Sequence, residues 1–162
     1  MQRSVSIRQL KGERLPYEEL KYECTSVTGP SDKSRVYFPC GLLANSMFTD
    51  KFSSLKNKDS GESLELKEEK LRWTELDDDF GTVGYNLDEI APPPAWKEYL
   101  GRDYYESKEE ASMMIKSLRF VSWINPAISS SFRKPIGMIK GPIKKGKYEI
   151  IINLSKIIII KY

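Results

Sequence analysis

Apolar residues recur with two different periods along this chain. At Ala111, Met114, Ile115 and Leu118 they fall three and four apart, the stripe of an amphipathic helix. Ser107-Lys108-Glu109-Glu110, just before it, has the form of a capping box: the serine hydroxyl accepts from a free backbone N–H and the glutamate reaches back. A shorter helical turn is predicted around Leu43, Met47 and Phe48, following Gly41. Elsewhere β-branched and aromatic residues dominate. Residues 119–124 read as a strand stopped by Asn125-Pro126, and residues 147–153 and 156–162 as two Ile-rich strands. The lysines at both ends of the 157–160 isoleucine run read as gatekeepers against aggregation. Pro92, Pro93 and Pro94 predict an extended polyproline-type segment with Trp96 as its anchor. The polar run 56–70, with Gly61 inside it, reads as a surface loop or hairpin. The expected fold is mainly β, with one or two short helices and long irregular connections.

Composition narrows the chemistry. With 162 residues, 40% apolar and 30% charged, residues 1–162 are expected to form a single domain with a sizeable core. A net charge of +3 is too mild to announce nucleic acid or a membrane surface. The absence of histidine removes the histidine-based serine and cysteine triads, histidine-ligated zinc and haem, and the kinase catalytic loop. Cys24 and Cys40 are too few for a four-thiolate metal site, and their spacing suits neither a CxxC redox pair nor a zinc knuckle. Counting leaves two readings: a pair of unrelated buried thiols, or one disulfide made in an oxidising compartment. No signal peptide or membrane span is predicted. The most apolar stretch, 150–160, is broken by Asn153, Ser155 and Lys156, whereas a membrane helix needs about 20 apolar residues.

Three motifs imitate active sites and fail on their surroundings. Residues 141–147 match the first seven positions of a phosphate-binding P-loop, but Tyr148 stands where the Mg²⁺-binding hydroxyl belongs. A strand follows where the P-loop needs a helix N-terminus. Asp79-Phe80-Gly81 copies a kinase triplet without the kinase's other motifs, and Asp77-Asp78-Asp79 lacks the spaced oxygen ligands of a calcium loop. Positive charge concentrates after residue 130, at Arg133, Lys134, Lys140, Lys144, Lys145 and Lys147. Without interleaved aromatics for base stacking, that run reads as a solvated face.

One segment is too unusual for composition to explain. Pro39-Cys40-Gly41-Leu42-Leu43-Ala44-Asn45-Ser46-Met47-Phe48-Thr49-Asp50 resembles the signature of the cell division control protein 50 family (ligand-effect modulator 3 family). Further stretches follow in the family's order. Arg3-Ser4-Val5 and Gln9-Leu10-Lys11-Gly12 precede the signature, with Cys24 at the position of its paired cysteine. Leu71-Arg72-Trp73, Ile90-Ala91-Pro92-Pro93-Pro94-Ala95-Trp96 and Phe120-Val121-Ser122-Trp123 come after it. Phe132-Arg133-Lys134-Pro135-Ile136-Gly137 and Gly146-Lys147-Tyr148-Glu149-Ile150 complete the set, the last accounting for the false P-loop.

The resemblance implies a non-catalytic β subunit of type-IV P-type ATPases, the phospholipid flippases, needed for the pump's folding, export from the endoplasmic reticulum and activity. It implies an antiparallel β-sandwich with short helices, lying outside the cytoplasm between two membrane helices, with disulfides and N-glycans. A Cys24–Cys40 bridge follows from it, with a lumenal or extracellular setting in the endoplasmic reticulum, Golgi, endosome or plasma membrane. No cofactor, metal, nucleic acid or small-molecule substrate is implied. The sequence departs from the family in lacking both membrane helices, as an excised or truncated ectodomain would. It also has Thr49-Asp50-Lys51 where relatives often carry a glycosylation triplet, which leaves Asn153-Leu154-Ser155 as its sequon.

The signature has a physical reading of its own. Pro39 fixes its own φ and biases Phe38 to an extended conformation, Gly41 permits a sharp change of direction, and Asn45 and Ser46 satisfy exposed backbone groups in the next turn. One use for such a turn is core scaffolding. The other is docking against the ATPase's exoplasmic loops, for which the candidate contacts are Pro39, Gly41, Leu42, Ala44, Asn45, Ser46, Phe48, Pro93, Trp96, Phe132 and Arg133. Two other classes compete: a secreted β-sandwich that binds lipid headgroups or glycans, and a basic nucleic-acid-binding protein.

Overall fold

The chain opens with two short helices set by local chemistry. In α1 (Ile7–Leu10) the Ser6 hydroxyl caps the start by accepting from the Gln9 N–H. In α2 (Tyr17–Cys24), Pro16 precedes the first turn, Glu18 and Glu19 sit at its positive end and Lys21 at its negative end, so charge and helix dipole agree. The computed structural model describes residues 5–47, 49–67, 80–125, 131, 133 and 135–154.

After α2 come β1 (Val36–Tyr37), α3 (Leu42–Asn45), β2 (Lys51–Phe52), β3 (Leu55–Asn57) and β4 (Ser63–Leu64). A 3-10 turn, Leu87–Glu89, leads into β5 (Ile90–Ala91), and a second, Pro94–Trp96, into α4 (Lys97–Leu100). Helices α5 (Lys108–Lys116) and α6 (Leu118–Ile124) precede β6 (Tyr148–Glu149) and β7 (Ile152–Asn153). The strands form three small sheets. β1 and β5 are parallel, Val36 opposite Ile90. β2 and β7 are antiparallel, Lys51 opposite Asn153. The third sheet runs β4-β3-β6, all antiparallel. Among the described residues, helix outweighs strand and the architecture is mixed.

The polar 56–70 run contains the expected hairpin, β3 to β4. Its turn is organised by the Asn57 side chain, which accepts from the Asp59 and Ser60 N–H groups at 2.8 and 3.1 Å. The 147–153 region forms β6 and β7, so a strand does follow the false P-loop. The 156–162 strand, Asp77–Asp79 and the Leu71-Arg72-Trp73 element lie outside the described residues.

Three expectations change. Residues 119–124 belong to helix α6, started by Ser117, whose hydroxyl accepts from the Phe120 N–H. Leu118, Phe120, Val121 and Ile124 are all buried, with Ser122 and Arg119. A short helix apolar on most sides carries no 3.6 period, which is why it reads as a strand. The apolar stripe from Ala111 to Leu118 is likewise divided: Ser117, extended, ends α5 and starts α6. Glu110 closes its box one residue earlier than expected, accepting from the Glu106 N–H at 2.8 Å. Finally, Pro93 keeps an extended conformation (φ −53, ψ 146), while Pro94 opens the 3-10 turn that carries Trp96, a position where its missing N–H costs nothing.

The core gathers Leu10, Leu20, Phe38, Ala44, Ile90, Trp96, Ile115 and Phe120, all at most 1% exposed, around the two cysteines. Edge-to-face contacts lock it at two places, Trp96 on Phe120 with centroids 5.7 Å apart and Phe38 on Tyr85 at 6.0 Å.

Candidate docking surface

The signature segment begins in a turn held from three sides. Cys40 is bonded to Cys24, the last residue of α2. The Phe38–Pro39 peptide is cis. The Tyr105 hydroxyl donates to the Phe38 carbonyl at 2.5 Å, and burial holds that phenol well above its ordinary pKa. On the other side lies Gln9, fully buried. Its carbonyl oxygen accepts from the Cys40 N–H at 2.9 Å, and its amide donates to the Tyr37 carbonyl at 3.1 Å and to the Tyr85 hydroxyl at 3.4 Å. Tyr85 in turn accepts from the Leu15 N–H (2.8 Å) and donates to the Leu15 carbonyl (3.0 Å); burial raises its pKa too.

Gly41 then redirects the chain with φ 108, a conformation that side chains disfavour, and its N–H donates to the Val27 carbonyl at 2.9 Å. The four-residue helix α3 follows. So short a helix leaves most of its backbone groups without internal partners. Two indoles supply the missing donors: Trp96 to the Ala44 carbonyl and Trp123 to the Leu43 carbonyl, both at 2.9 Å. The Asn45 side chain accepts from the Ala95 N–H at 2.9 Å, and the Ser46 hydroxyl donates to the Leu43 carbonyl at 3.1 Å. Beyond it, the buried Arg119 donates to the Asp50 carbonyl at 2.6 Å and stacks 5.2 Å from the Tyr99 ring.

This placement divides the sequence-predicted site residues. Pro39, Gly41, Ala44, Pro93 and Trp96 are buried in the chain's own core, where they hold the turn and α3. Leu42 is exposed, Asn45 and Ser46 are half-buried, and Arg133 is exposed. Phe48 and Phe132 lie outside the described residues. Asn153 is exposed on β7, beside a cleft of about 180 Å³ lined by Thr49, Lys51, Glu98, Tyr99 and Leu154. The stretch from β6 through β7 also exposes Ile150, Ile151, Ile152 and Leu154. The sequence places Gln9 and Trp123 within the resembling stretches and Arg119 at the start of the 119–124 run without a functional role for any of them, and nothing in it singles out Tyr85 or Tyr105. The signal at Gln9 is a polar residue next to Leu10 just after a serine cap, a place where burial demands partners.

Among the described residues, no three His, Cys, Asp or Glu side chains gather as a metal site would need, and no helix is long and apolar enough to cross a membrane. The arrangement presents a short helix, rigidly capped from beneath, on the surface.

Comparison with known proteins gives this segment its context. Residues 1–155 match the LEM3 (ligand-effect modulator 3) family / CDC50 family. The chain is 30% identical over 156 residues to the phospholipid-transporting ATPase accessory subunit CDC50 of Chaetomium thermophilum, an alignment covering 91% of this chain and 38% of that protein. It is also 30% identical over 158 residues to the accessory subunit LEM3 of Saccharomyces cerevisiae, covering 93% and 37%. A third relative, the yeast accessory subunit CRF1, is 29% identical over 133 residues, covering 81% and 33%. The chain thus spans little more than a third of the length of these curated relatives. By a match that takes in the disulfide, the signature and both tryptophans that cap it, this chain belongs to the LEM3/CDC50 family.

Proposed function

We propose that this chain is the extracytoplasmic portion of a non-catalytic accessory subunit of a phospholipid-transporting type-IV P-type ATPase. It supports the pump's folding, its export from the endoplasmic reticulum and phospholipid translocation. The observation that carries this reading is the family match over residues 1–155, with relatives named as accessory subunits of such ATPases. The Cys24–Cys40 disulfide favours a lumenal or extracellular setting. On this reading residues 1–162 act as one domain, and the two antiparallel sheets, β2–β7 and β4-β3-β6, belong to the family's antiparallel β-sandwich. The chain carries out no chemistry of its own. Its contribution is a surface on α3, where Leu42, Asn45 and Ser46 meet the ATPase, joined by Phe48, Phe132 and Arg133. Pro39, Gly41, Ala44, Pro93 and Trp96 support that surface from beneath.

The test is immunoprecipitation of a membrane-anchored form of the chain from cells expressing type-IV P-type ATPases, with and without Leu42→Asp. Leu42 is 38% exposed, so a charge there leaves stability within about 0.5 kcal/mol and removes apolar contact with a partner. Recovery of an ATPase by the parent chain and its loss with Leu42→Asp supports the reading. Failure of the parent chain to recover any such ATPase overturns it.

A further inference from the structure

A second concave site lies away from α3. It is a cleft of about 420 Å³ between the 14–17 segment and the 33–36 segment. One wall carries Arg14, the other Lys33 and Arg35, and Glu89 is the lone carboxylate among the lining residues. The Tyr17 ring forms one side, with the Lys33 ammonium 5.3 Å from its centre, and the buried Tyr85 forms the floor.

The cationic wall is held in place by the backbone. Lys33 sits at φ 55, a left-handed conformation that a lysine rarely adopts. Its N–H donates to the Pro30 carbonyl at 3.0 Å, and the Asp32 carboxylate accepts from both the Ser34 N–H (3.1 Å) and the Ser34 hydroxyl (2.9 Å). At the base of the loop, a side chain on Gly29 would collide with the Arg35 carbonyl. The floor is equally fixed, since Tyr85 is bonded to Leu15 and Gln9. Arg14 pairs with Glu89, and Lys33 is 3.4 Å from Glu18 in a pair with both members more than half exposed. Arg35, half-buried, takes part in neither salt bridge, although the Asp32 carboxylate lies near enough for the two charges to interact. An anion entering the cleft therefore meets one guanidinium outside any direct salt bridge, one that it can share with Glu89, and an ammonium in a weak exposed pair.

We propose that this cleft is a binding site for a phosphate group, with Arg35 as its principal ligand and Arg14 and Lys33 completing it. The cleft's own lining carries three cations and one carboxylate, Glu18 and Asp32 lying outside it, and that local balance favours a multiply charged oxyanion. Two planar guanidiniums match its oxygens with paired donors. The volume exceeds that of phosphate alone and falls in the range of small-molecule sites, which leaves room for a polar organic group against Tyr17. The inference stands on the cleft and does not depend on the accessory-subunit reading.

The experiment is isothermal titration calorimetry of the full chain with inorganic phosphate, glycerophosphoserine and glycerophosphoethanolamine. It runs in parallel with flotation on phosphatidylcholine vesicles with and without phosphatidylserine. Expected is saturable binding of the soluble phosphates that weakens with added salt, drops about tenfold in Arg35→Gln and recovers in part in Arg35→Lys. Lys145→Gln, on the exposed basic run outside the cleft, leaves it unchanged. Arg35-dependent flotation assigns the phosphate to a lipid headgroup; binding confined to the soluble compounds assigns it to free phosphates. Where Arg35→Gln lowers the melting temperature, Lys33→Gln at the exposed rim replaces it and is expected to weaken binding severalfold. Absence of saturable binding by any of the soluble phosphates overturns the proposal, as does binding that folded Arg35→Gln or Lys33→Gln leaves unchanged.

Discussion

Replacing Gln9 by methionine isolates the polar joint under the signature turn. The two side chains have similar length, so packing volume is nearly kept, while all three hydrogen bonds of the carboxamide are lost. Tyr85 keeps both of its bonds to Leu15, so its hydroxyl stays satisfied. The Cys40 N–H and the Tyr37 carbonyl do not; each loses its Gln9 partner, and a buried unpaired group costs about 1–3 kcal/mol. With some return from burying an apolar side chain, the net loss is about 3 kcal/mol. In a chain of this size that lowers the melting temperature by about 9 °C. Opening the disulfide with Cys24→Ala and Cys40→Ala is expected to cost a similar amount, about 3 kcal/mol for a loop of 16 residues. Both changes release the same residue. Once the bridge is gone the turn relaxes and the Cys40 N–H can reach water, so the combined variant falls short of the sum by about 1 kcal/mol or more. Urea unfolding of the four proteins, followed by tryptophan fluorescence, measures every term. A Gln9→Met variant within about 0.5 kcal/mol of the parent, or strict additivity with the open disulfide, refutes the joint.

Other consequences follow from the same geometry. Trp96→Phe leaves the Ala44 carbonyl without its indole donor and weakens the contact with Phe120; a loss of about 2–3 kcal/mol is expected in the same urea assay, and a near-neutral result rules out the indole cap. Tyr105 has its pKa raised in the folded state by burial, so its contribution to stability is complete below the unfolded phenol value near pH 10 and is lost as pH rises further. Tyr105→Phe is expected to cost about 1 kcal/mol at neutral pH through the lost bond to Phe38 and to flatten the alkaline limb of stability against pH; an unchanged limb contradicts the assignment. Expression through the secretory pathway is expected to attach one glycan at the exposed Asn153, visible as a mobility step that peptide-N-glycosidase and Asn153→Gln both abolish; a parent chain that migrates like Asn153→Gln shows the sequon is unused.

The legible parts of the fold were those with a local cause. Ser107 starting a helix, the polar hairpin around Gly61 and the strand after Lys147 are each fixed by residues within a few positions. Helix α2 also had local signals in Pro16 and the glutamates behind it, but its apolar positions form a weak stripe that draws little notice. Helix α6 was illegible for another reason: its burial is imposed from several sides by α3, α5 and the core, and that burial erases the period from which helix and strand are told apart. The parallel pairing of β1 with β5 joins residues far apart in sequence and left no local trace. At the signature, residue types announced a rigid turn, yet the groups that hold it, Gln9, Tyr105 and Trp123, come from three distant segments.

That distribution decides how mutations in this family segment are to be read. Pro39, Ala44 and Trp96 act inward, and their replacement lowers stability, so a lost complex with such a variant says nothing about contact. Leu42 and Ser46 have no bond from their side chains into the core other than Ser46 to the carbonyl of Leu43 one turn back, so a lost complex there, with melting unchanged, reports a surface. Gln9 belongs to neither group. It links the disulfide-bonded turn to Tyr85 and hence to the floor of the cationic cleft, a single fully buried carboxamide touching the supports of both proposed surfaces. If the two surfaces are energetically coupled, the coupling passes through that side chain: Gln9→Met should then weaken phosphate binding at Arg35 and recovery of the ATPase through Leu42 together, whereas Trp96→Phe should weaken only the second.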